Sequence, residues 1–229
     1  IPNQTTINTG AQMKLVSFLH DGKPSYGAVK GDGIVDLGVR LGKQGVATLR
    51  QLLGSAALDE AKAIVVRDAA DIALADVVLA PVIPDPDKII CVGMNYHDHV
   101  AEVGRTVTEK PSLFARFAGS QVGHLQPMIK PAVSEQFDYE GELAVVIGKG
   151  GRHIAKDRAL DHIAGYACYN EGSIRDWQRH TTQFLSGKTF HGTGAFGPWL
   201  VTADEIADPA KLTLETRLNG QQVQHTTTD

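Results

Sequence analysis

Two glutamates one residue apart are the residues whose spacing says most about chemistry in this chain. Glu140 and Glu142 open an apolar, partly β-branched run at residues 140–147, which predicts a strand. Side chains two positions apart on a strand share a face, so Asp138 extends the acidic row. Like charges taken out of water are costly unless they are paired or bound to a metal. A hard divalent cation with oxygen ligands would stabilise the row, and an edge strand with solvent-facing acids is the alternative.

A third carboxylate follows another predicted strand. Glu171 could complete a three-oxygen set with Glu140 and Glu142, and the alternative is an acid that favours the N-terminus of the next helix. In that helix Arg175 and Gln178 are three apart and share a face. Such a pair suits a substrate carboxylate, because arginine presents a planar fork of donors. A surface ion pair is the alternative for these two residues.

A predicted helix beginning at His97 contains a candidate general base. His99 and Glu102 are three apart and stack on one face, where a carboxylate orients an imidazole and raises its basicity. Asp98 is a local competitor, and a solvent-facing polar pair is the alternative.

Lys188 lies in a predicted glycine-flanked loop. It could stabilise an enolate or a carboxylate, although lysine is more often a surface residue.

Composition limits the partners that the chain can have. With 229 residues, 42% of them hydrophobic, the chain can bury a core in one large domain or in one domain plus a small one. A net charge of -4 argues against a nucleic-acid partner, and no apolar run reaches membrane-spanning length, so no membrane partner is predicted. Cys91 and Cys168 lie in apolar runs, which favours buried free thiols in a reducing compartment over a disulfide. We therefore expect a cytoplasmic protein.

Four segments organise the chain. Residues 1–12 are polar and predict a flexible arm or an expression remnant, and residues 13–80 predict a small N-terminal module of short strands and helix. Three prolines make residues 81–87 a stiff linker. Residues 88–229 are rich in strand signals, including an Asn219-Gly220 turn, and predict the main domain. The predicted fold class is mainly β with helices, that is, α+β.

In chain order these segments resemble the fumarylacetoacetate hydrolase family. The resemblance covers residues 88 to about 206, roughly half of the chain. Each motif alone is weak, but four of them in order and at the expected spacing are specific. The motifs are residues 92–96 followed by Asp98 and His99, the run Glu140-Gly141-Glu142-Leu143, the run Tyr169-Asn170-Glu171 with Ser173, Arg175, Asp176 and Gln178, and finally Lys188.

The resemblance implies a fold and a site. It implies a mixed β-sandwich roll, usually a homodimer, that binds a divalent cation through three carboxylates. Mg²⁺ is the first choice, with Mn²⁺ or Ca²⁺ as alternatives. The implied roles are metal ligation by Glu140, Glu142 and Glu171, water activation by His99 with Glu102, an active-site lysine at Lys188, and contacts to the substrate's carboxylate or carbonyls by Arg116, Arg175 and Gln178.

Two features depart from the family pattern. The third ligand position is usually aspartate, and the additional methylene of Glu171 moves the carboxylate oxygens outward. A late Gly-Thr-containing loop and the strands that close the fold are not found before Asp229. We therefore expect that the catalytic domain, which comprises residues 88–229 here, lacks its C-terminal part.

The resemblance implies catalysis on a small-molecule oxo acid. The first hypothesis is metal-dependent hydrolysis of a carbon–carbon bond in a small diketo acid, such as an acylpyruvate or a fumarylacetoacetate-like compound, through a metal-bound enolate. Isomerisation or decarboxylation of an oxo or dienoic diacid is the alternative, since each passes through the same kind of enolate. A non-catalytic metal-binding homologue is the competing hypothesis from another class.

Overall fold

Strands dominate the secondary structure of this α+β protein. The computed structural model describes residues 12–96 and 109–229. In chain order the strands are β1 (Lys14–His20), β2 (Lys23–Lys30), β3 (Gly33–Asp36), β4 (Ile72–Ala73), β5 (Val78–Leu79), β6 (Ile89–Gly93), β7 (Ser112–Arg116), β8 (Gln121–Val122), β9 (Phe137–Asp138), β10 (Gly141–Ile147), β11 (Ile163–Glu171), β12 (Ser173–Ile174), β13 (Gly194–Phe196), β14 (Leu200–Thr202), β15 (Thr213–Leu218) and β16 (Gln221–Thr227). The helices are α1 (Leu37–Leu41), α2 (Leu49–Leu53), α3 (Leu58–Arg67), α4 (Arg175–Gln178) and α5 (Leu185–Lys188).

A ten-stranded mixed sheet combines strands from the N-terminal and C-terminal halves of the described chain. Its order is β4-β3-β2-β1-β14-β11-β13-β8, with β10 paired to β11 and β5 paired to β1. The pairing of β13 with β8 is parallel, and the pairings of β1 with β14 and of β10 with β11 are antiparallel. Because β1 pairs with β14, strands from the predicted N-terminal module and from the predicted catalytic domain share one sheet. The boundary between these two segments stays a prediction.

The two faces of this sheet bury different clusters. Alternate residues of β1 point to opposite faces, so Leu15 joins the larger cluster while Val16 and Phe18 join the smaller one. Helices α1 to α3 cover the larger cluster with apolar side chains such as Leu37, Leu41, Leu49, Leu52 and Ile64. Each such fully buried side chain contributes about 1.5–3 kcal/mol of transfer free energy.

Local hydrogen bonds fix where two of these helices begin. The Asp36 side chain accepts from the backbone N–H of Val39 at the start of α1. At the start of α2, Thr48 and Gln51 form a capping box. Both contacts satisfy backbone donors that have no partner within the helix.

Three two-stranded sheets complete the described fold, and two of them matter for the site. They are β6–β7, β9–β12 and β15–β16. The β15–β16 hairpin confirms the predicted turn, since Asn219 and Gly220 both have positive φ, as a two-residue turn of this type requires. The β9–β12 pairing continues the antiparallel approach of β10 and β11, and therefore brings the backbone near Glu140 beside the backbone near Glu171.

Three local expectations are changed by the structure. Lys188 ends helix α5 instead of lying in a loop. The helix predicted after Glu171 begins only at Arg175, because Ser173 and Ile174 pair with β9 as strand β12 before α4 begins. Cys91 and Cys168 are free, as predicted, but Cys168 is exposed, so the prediction of a buried thiol is wrong there. Within the described ranges, no helix is long and apolar enough to cross a membrane.

Candidate active site

The three carboxylates predicted as metal ligands lie near one end of the antiparallel pair formed by β10 and β11. Glu140 immediately precedes β10, Glu142 lies within it, and Glu171 is the last residue of β11. The backbone N–H of Glu171 donates to the carbonyl of Glu140 at 2.7 Å, which fixes the two residues side by side. Glu171 is 5% exposed, so its charge is held out of water. The structure therefore brings together Glu140, Glu142 and Glu171.

Lys188 joins two of these carboxylates. Its Nζ donates to Glu140 Oε2 and to Glu171 Oε2, each at 2.7 Å, and the residue is 2% exposed. Gly187 lets helix α5, which ends at Lys188, pack closely against α4, because a Cβ at Gly187 would lie 2.4 Å from the backbone nitrogen of Gln178. A buried ammonium with two carboxylate partners is not a surface lysine, so the structure excludes that alternative for Lys188.

Arg175 contacts the acidic row from the other side. Its Nη2 donates to Asp138 Oδ2 and to Glu140 Oε1, each at 2.7 Å, and its Nε donates to Asp138 at 2.9 Å. Its Nη1 donates to the amide oxygen of Gln178 at 2.9 Å, across one turn of α4. Arg175 and Gln178 therefore lie at the site with Glu140, and their contact with substrate stays a prediction.

Arg116 is buried beneath Glu171. It is 2% exposed, and its guanidinium donates to the carbonyl of Gly172 and to Thr193 Oγ1, each at 3.0 Å. A longer contact of 3.6 Å joins Arg116 Nη1 to Glu171 Oε1. These contacts connect Arg116 to the segment that carries Glu171, and its predicted contact with substrate is likewise untested.

The charges of the cluster shift two carboxyl pKa values in opposite directions. Burial raises the pKa of Glu142 to about 7, and the nearby charges of Glu140 and Glu171 add to this effect. Burial acts in the same direction on Glu140, but Lys188 and Arg175 outweigh it and hold the Glu140 pKa well below its usual range. Glu142 is therefore the carboxylate whose charge the surrounding cations compensate least.

Three neighbours of the carboxylates were not predicted as site residues. Asp138 was visible as a member of the acidic row, but its ion pair with Arg175 was not. Tyr96 shares a hydrogen bond with Glu142, and burial together with the Glu142 charge raises the Tyr96 pKa to about 12. Cys91 contacts Glu171, and burial followed by that charge raises the thiol pKa to about 12. Neither contact has a signal in the sequence, because each depends on how β6 and the residues that follow it pack against the acidic strands.

The predicted general base lies outside the described residues. His99 and Glu102, with His97 and Asp98 beside them, fall between residue 96 and residue 109. Their assignment as a dyad stays a prediction.

The carboxylate cluster fits a divalent cation in its chemistry. Glu140, Glu142 and Glu171 supply oxygen donors of the kind that Mg²⁺ and Mn²⁺ accept. The pKa of Glu142 is raised first by burial and then by repulsion from Glu140 and Glu171, and a dication would offset both effects. Among the residues described, no three His, Cys, Asp or Glu side chains are arranged to hold a metal. In this arrangement Lys188 supplies the positive charge between Glu140 and Glu171.

A family model provides the decisive comparison. The model described as fumarylacetoacetate (FAA) hydrolase C-terminal matches residues 88–229, more than half of the chain. The chain belongs to the fumarylacetoacetate hydrolase family. This confirms the resemblance inferred from the motifs, and the similarity of the fold to solved members of the family confirms the predicted fold class.

Relatives of this family member include tautomerases. Oxaloacetate tautomerase fahd2, mitochondrial, from Xenopus laevis is 39% identical over 225 residues, which make up 95% of this chain and 70% of that protein. Oxaloacetate tautomerase FAHD2A, mitochondrial, from Homo sapiens is 47% identical over 148 residues, or 64% of this chain and 47% of the human protein. The chain therefore spans less than half of the human relative in that alignment.

Solved structures of the family show the same fold with other activities in their names. A putative HpcE protein from Mycobacterium smegmatis is 34% identical with a TM-score of 0.78, covering 93% of this chain and 75% of its own. Maleylpyruvate hydrolase from Sphingobium sp. SYK-6, in complex with manganese(II) and pyruvate, is 28% identical with a TM-score of 0.77, covering 94% and 77%. The 2-hydroxyhepta-2,4-diene-1,7-dioate isomerase from Mycobacterium marinum is 26% identical with a TM-score of 0.70, covering 94% and 75%.

Proposed function

We propose that this family member is a divalent-metal-dependent enzyme that tautomerises a small 2-oxo diacid resembling oxaloacetate. The observation on which this proposal rests is the cluster of three glutamates around one cation: buried Lys188 bonds with Glu140 and Glu171, and the charges of both glutamates act on Glu142. The choice of tautomerisation is supported by the relatives named oxaloacetate tautomerase, of which the Xenopus protein aligns with 95% of this chain. It reverses the order of the initial hypotheses, in which hydrolysis came first.

Glu140, Glu142 and Glu171 would hold the metal ion in this proposal. Mg²⁺ and Mn²⁺ both accept carboxylate oxygens. The related maleylpyruvate hydrolase was solved in complex with manganese(II) and pyruvate, which supports a metal ion and an oxo acid as ligands here. The bound ion would supply Lewis acidity, which stabilises negative charge on the substrate oxygens. We keep Mg²⁺ as the first choice, with Mn²⁺ and Ca²⁺ as alternatives.

The cationic side chains of the chain would orient the substrate and its charge. Lys188 Nζ lies between Glu140 and Glu171, where its positive charge would offset charge that develops on the C2 oxygen of the substrate. Arg175 fixes the orientation of Glu140 through its 2.7 Å hydrogen bond. A proton must move between the oxygen at C2 and carbon C3, and His99 with Glu102 is the dyad proposed for that step.

Hydrolysis of a carbon–carbon bond in a small diketo acid is the second candidate. Two observations favour it: the His99–Glu102 spacing suits activation of water, and maleylpyruvate hydrolase is similar over 94% of this chain. The same enolate chemistry would support decarboxylation or isomerisation of an oxo diacid. The family resemblance supports a homodimer. The free cysteines support a reducing compartment such as the cytoplasm, while the tautomerases named above are mitochondrial proteins.

A direct comparison of substrates tests the proposal. The full chain, with Mg²⁺ or Mn²⁺ added, should accelerate ketonisation of enol-oxaloacetate, measured by the decay of enol absorbance in the ultraviolet. Chelation of the metal and the Glu142→Gln substitution should each remove this acceleration. Faster decay of an acylpyruvate with no effect on enol-oxaloacetate would favour the hydrolase instead. Metal binding without turnover of any oxo acid would identify a non-catalytic homologue.

A further inference from the structure

The C-terminal hairpin touches the acidic strand between its two glutamates. We propose that Gln224, on β16, is a positioning residue that sets the geometry of Glu140 and Glu142 for metal binding. This inference rests on the proposed metal-dependent function and assigns part of that function to a residue 83 positions away from the acidic strand. The proposed effect of Gln224 on the two carboxylates passes through its hydrogen bonds with the backbone of Gly141.

The Gln224 amide pairs with the backbone of Gly141 in the way that a neighbouring strand would. The N–H of Gly141 donates to Gln224 Oε1 at 2.8 Å, and Gln224 Nε2 donates to the carbonyl of Gly141 at 2.8 Å. One side chain therefore satisfies both backbone groups of the residue that separates Glu140 from Glu142. A primary amide has one acceptor and a donor group in the spacing that this exchange needs.

The opposite edge of the same segment is fixed by β11. Gly141 lies opposite Asn170 in the ladder, and the carbonyl of Glu140 accepts from the N–H of Glu171 at 2.7 Å. The segment that carries the two carboxylates is thus hydrogen-bonded on both edges. Removal of Gln224 would free one edge at the position midway between Glu140 and Glu142.

Two features of the β15–β16 hairpin favour the contact between Gln224 and Gly141. Thr216, opposite Gln224 in the β15–β16 ladder, donates through Oγ1 to Gln224 Oε1 at 2.9 Å and so orients the amide. A Cβ on Gly141 would lie 2.1 Å from the same Thr216 oxygen, so only glycine allows the hairpin to approach this closely. The amide orientation and the absence of a side chain at Gly141 both favour a close, fixed contact.

A small shift of this backbone would act on metal affinity. Glu140 and Glu142 are bonded to the main chain on either side of Gly141, so rotation of that peptide unit moves their oxygens relative to Glu171. Groups that orient metal ligands without touching the ion change metal affinity by about 10–100-fold when they are removed. We expect the lower end of this range for Gln224, because its effect passes through the backbone.

Mn²⁺ binding to the full chain tests the inference. Gln224→Met keeps the volume of the side chain and removes both hydrogen bonds, and Gln222→Met is the matched control, because Gln222 is exposed on the same strand. The Mn²⁺ dissociation constant, measured by isothermal titration, should rise about tenfold in the first variant and stay unchanged in the second. The electron paramagnetic resonance spectrum of bound Mn²⁺, which reports ligand geometry, should change only for Gln224→Met.

A second variant, Thr216→Val, keeps the inference testable if Gln224→Met does not fold. Thr216→Val leaves Gln224 in place but removes the hydroxyl that orients it, and should raise the dissociation constant about threefold. Equal Mn²⁺ affinity and an unchanged spectrum in Gln224→Met and the wild type would overturn the role of Gln224 while leaving the metal site intact. If the wild-type protein binds no Mn²⁺, the proposed function is overturned, and this inference with it.

Discussion

Lys188 is the residue on which the charge balance of the site depends. Its ammonium bonds with Glu140 and Glu171 at 2.7 Å each, and it is almost fully buried. A buried pair of this kind contributes little net stability compared with apolar residues, but removal of one partner leaves uncompensated charge in a low dielectric. The family resemblance of the sequence implies a site role for Lys188, which stays a prediction. The sequence did not predict its ion-pair partners, because Glu140 and Glu171 lie 48 and 17 positions away.

The Lys188→Met substitution should therefore destabilise the fold strongly. We expect the free energy of unfolding at neutral pH to fall by about 3 kcal/mol, because Glu140 and Glu171 lose their shared cation. Urea denaturation measures the change. Lys62→Met is the control: its Nζ lies 3.0 Å from Asp204 in a more exposed pair, which should be worth at most about 1 kcal/mol. Similar losses in both variants would contradict the importance of burial at Lys188.

Glu142 should make the stability of the metal-free protein depend on pH. Its pKa rises from 4.5 to about 7 in the folded state, chiefly through burial, so the folded protein binds more protons than the unfolded chain between these values. The stabilisation from this group is fully present below pH 4.5 and is lost as the pH rises to about 7. At about 1.4 kcal/mol per pKa unit, the loss is at most about 3.5 kcal/mol.

The Glu142→Gln variant isolates this effect. The difference in unfolding free energy between wild type and variant, measured by urea denaturation without metal, should move against the wild type as the pH rises through this window. A difference that is independent of pH would show that Glu142 ionises normally.

At the scale of elements, paired ladders determine which carboxylates meet. The sequence predicted the strand at Glu142 and the strand before Glu171, since both are β-branched or aromatic runs of adequate length. It did not predict their pairing, because a register between distant strands is fixed by tertiary packing and not by local pattern. It also placed Arg175 in a longer helix, because the pairing of β12 with β9 overrides the helical spacing there.

The approach of β13 to β11 depends on a glycine. A Cβ at Gly194 would lie 2.3 Å from the Tyr169 hydroxyl and 2.8 Å from Arg116 Nη2. Gly194→Ala should therefore displace Arg116 and Glu171, lower the unfolding free energy by about 2 kcal/mol, and weaken Mn²⁺ binding. Thermal unfolding and metal titration measure these two effects.

Gly119→Ala is the matched control for this substitution. No atom lies within 4 Å of a Cβ built there, so its stability and Mn²⁺ affinity should stay near those of the wild type. If Gly194→Ala behaved like Gly119→Ala, the close packing around Arg116 would not be needed for the site.

At the scale of the whole molecule, the shared sheet links the segments that the sequence separated. Proline-rich composition predicted a linker at residues 81–87, yet Val82 and Ile83 are buried in the larger core cluster. The pairing of β1 with β14 joins residues that are far apart in the sequence, such as Leu15 and Leu200, which are 185 positions apart. A contact of this sequence separation has no local signal, so composition and periodicity could suggest segments but not how they share a sheet.

This sheet should make the described chain unfold as one cooperative unit. Trp199 packs against the smaller cluster beside β1, and Trp177 contacts His180 and Phe190 near α4, so the two tryptophans report on different regions. In Trp177→Phe and Trp199→Phe variants, the remaining fluorophore should give the same urea midpoint.

Substitution of a buried residue on β1, where this strand pairs with β14, extends the test. Leu15→Ala, which should cost about 3 kcal/mol, should lower both midpoints equally. A lower midpoint for Trp199 alone would indicate an N-terminal module that unfolds separately.

The contrast between the two thiols has a practical consequence. Thiolate is the nucleophilic form of cysteine. Partial burial, followed by the Glu171 charge, raises the pKa of Cys91 to about 12, which protects this thiol from alkylation near neutrality. Cys168 is exposed on β11, an odd number of residues before Glu171, and therefore on the opposite face of that strand. A maleimide-linked nitroxide or dye would attach selectively at Cys168, and would place a distance probe near the carboxylates without any engineered cysteine.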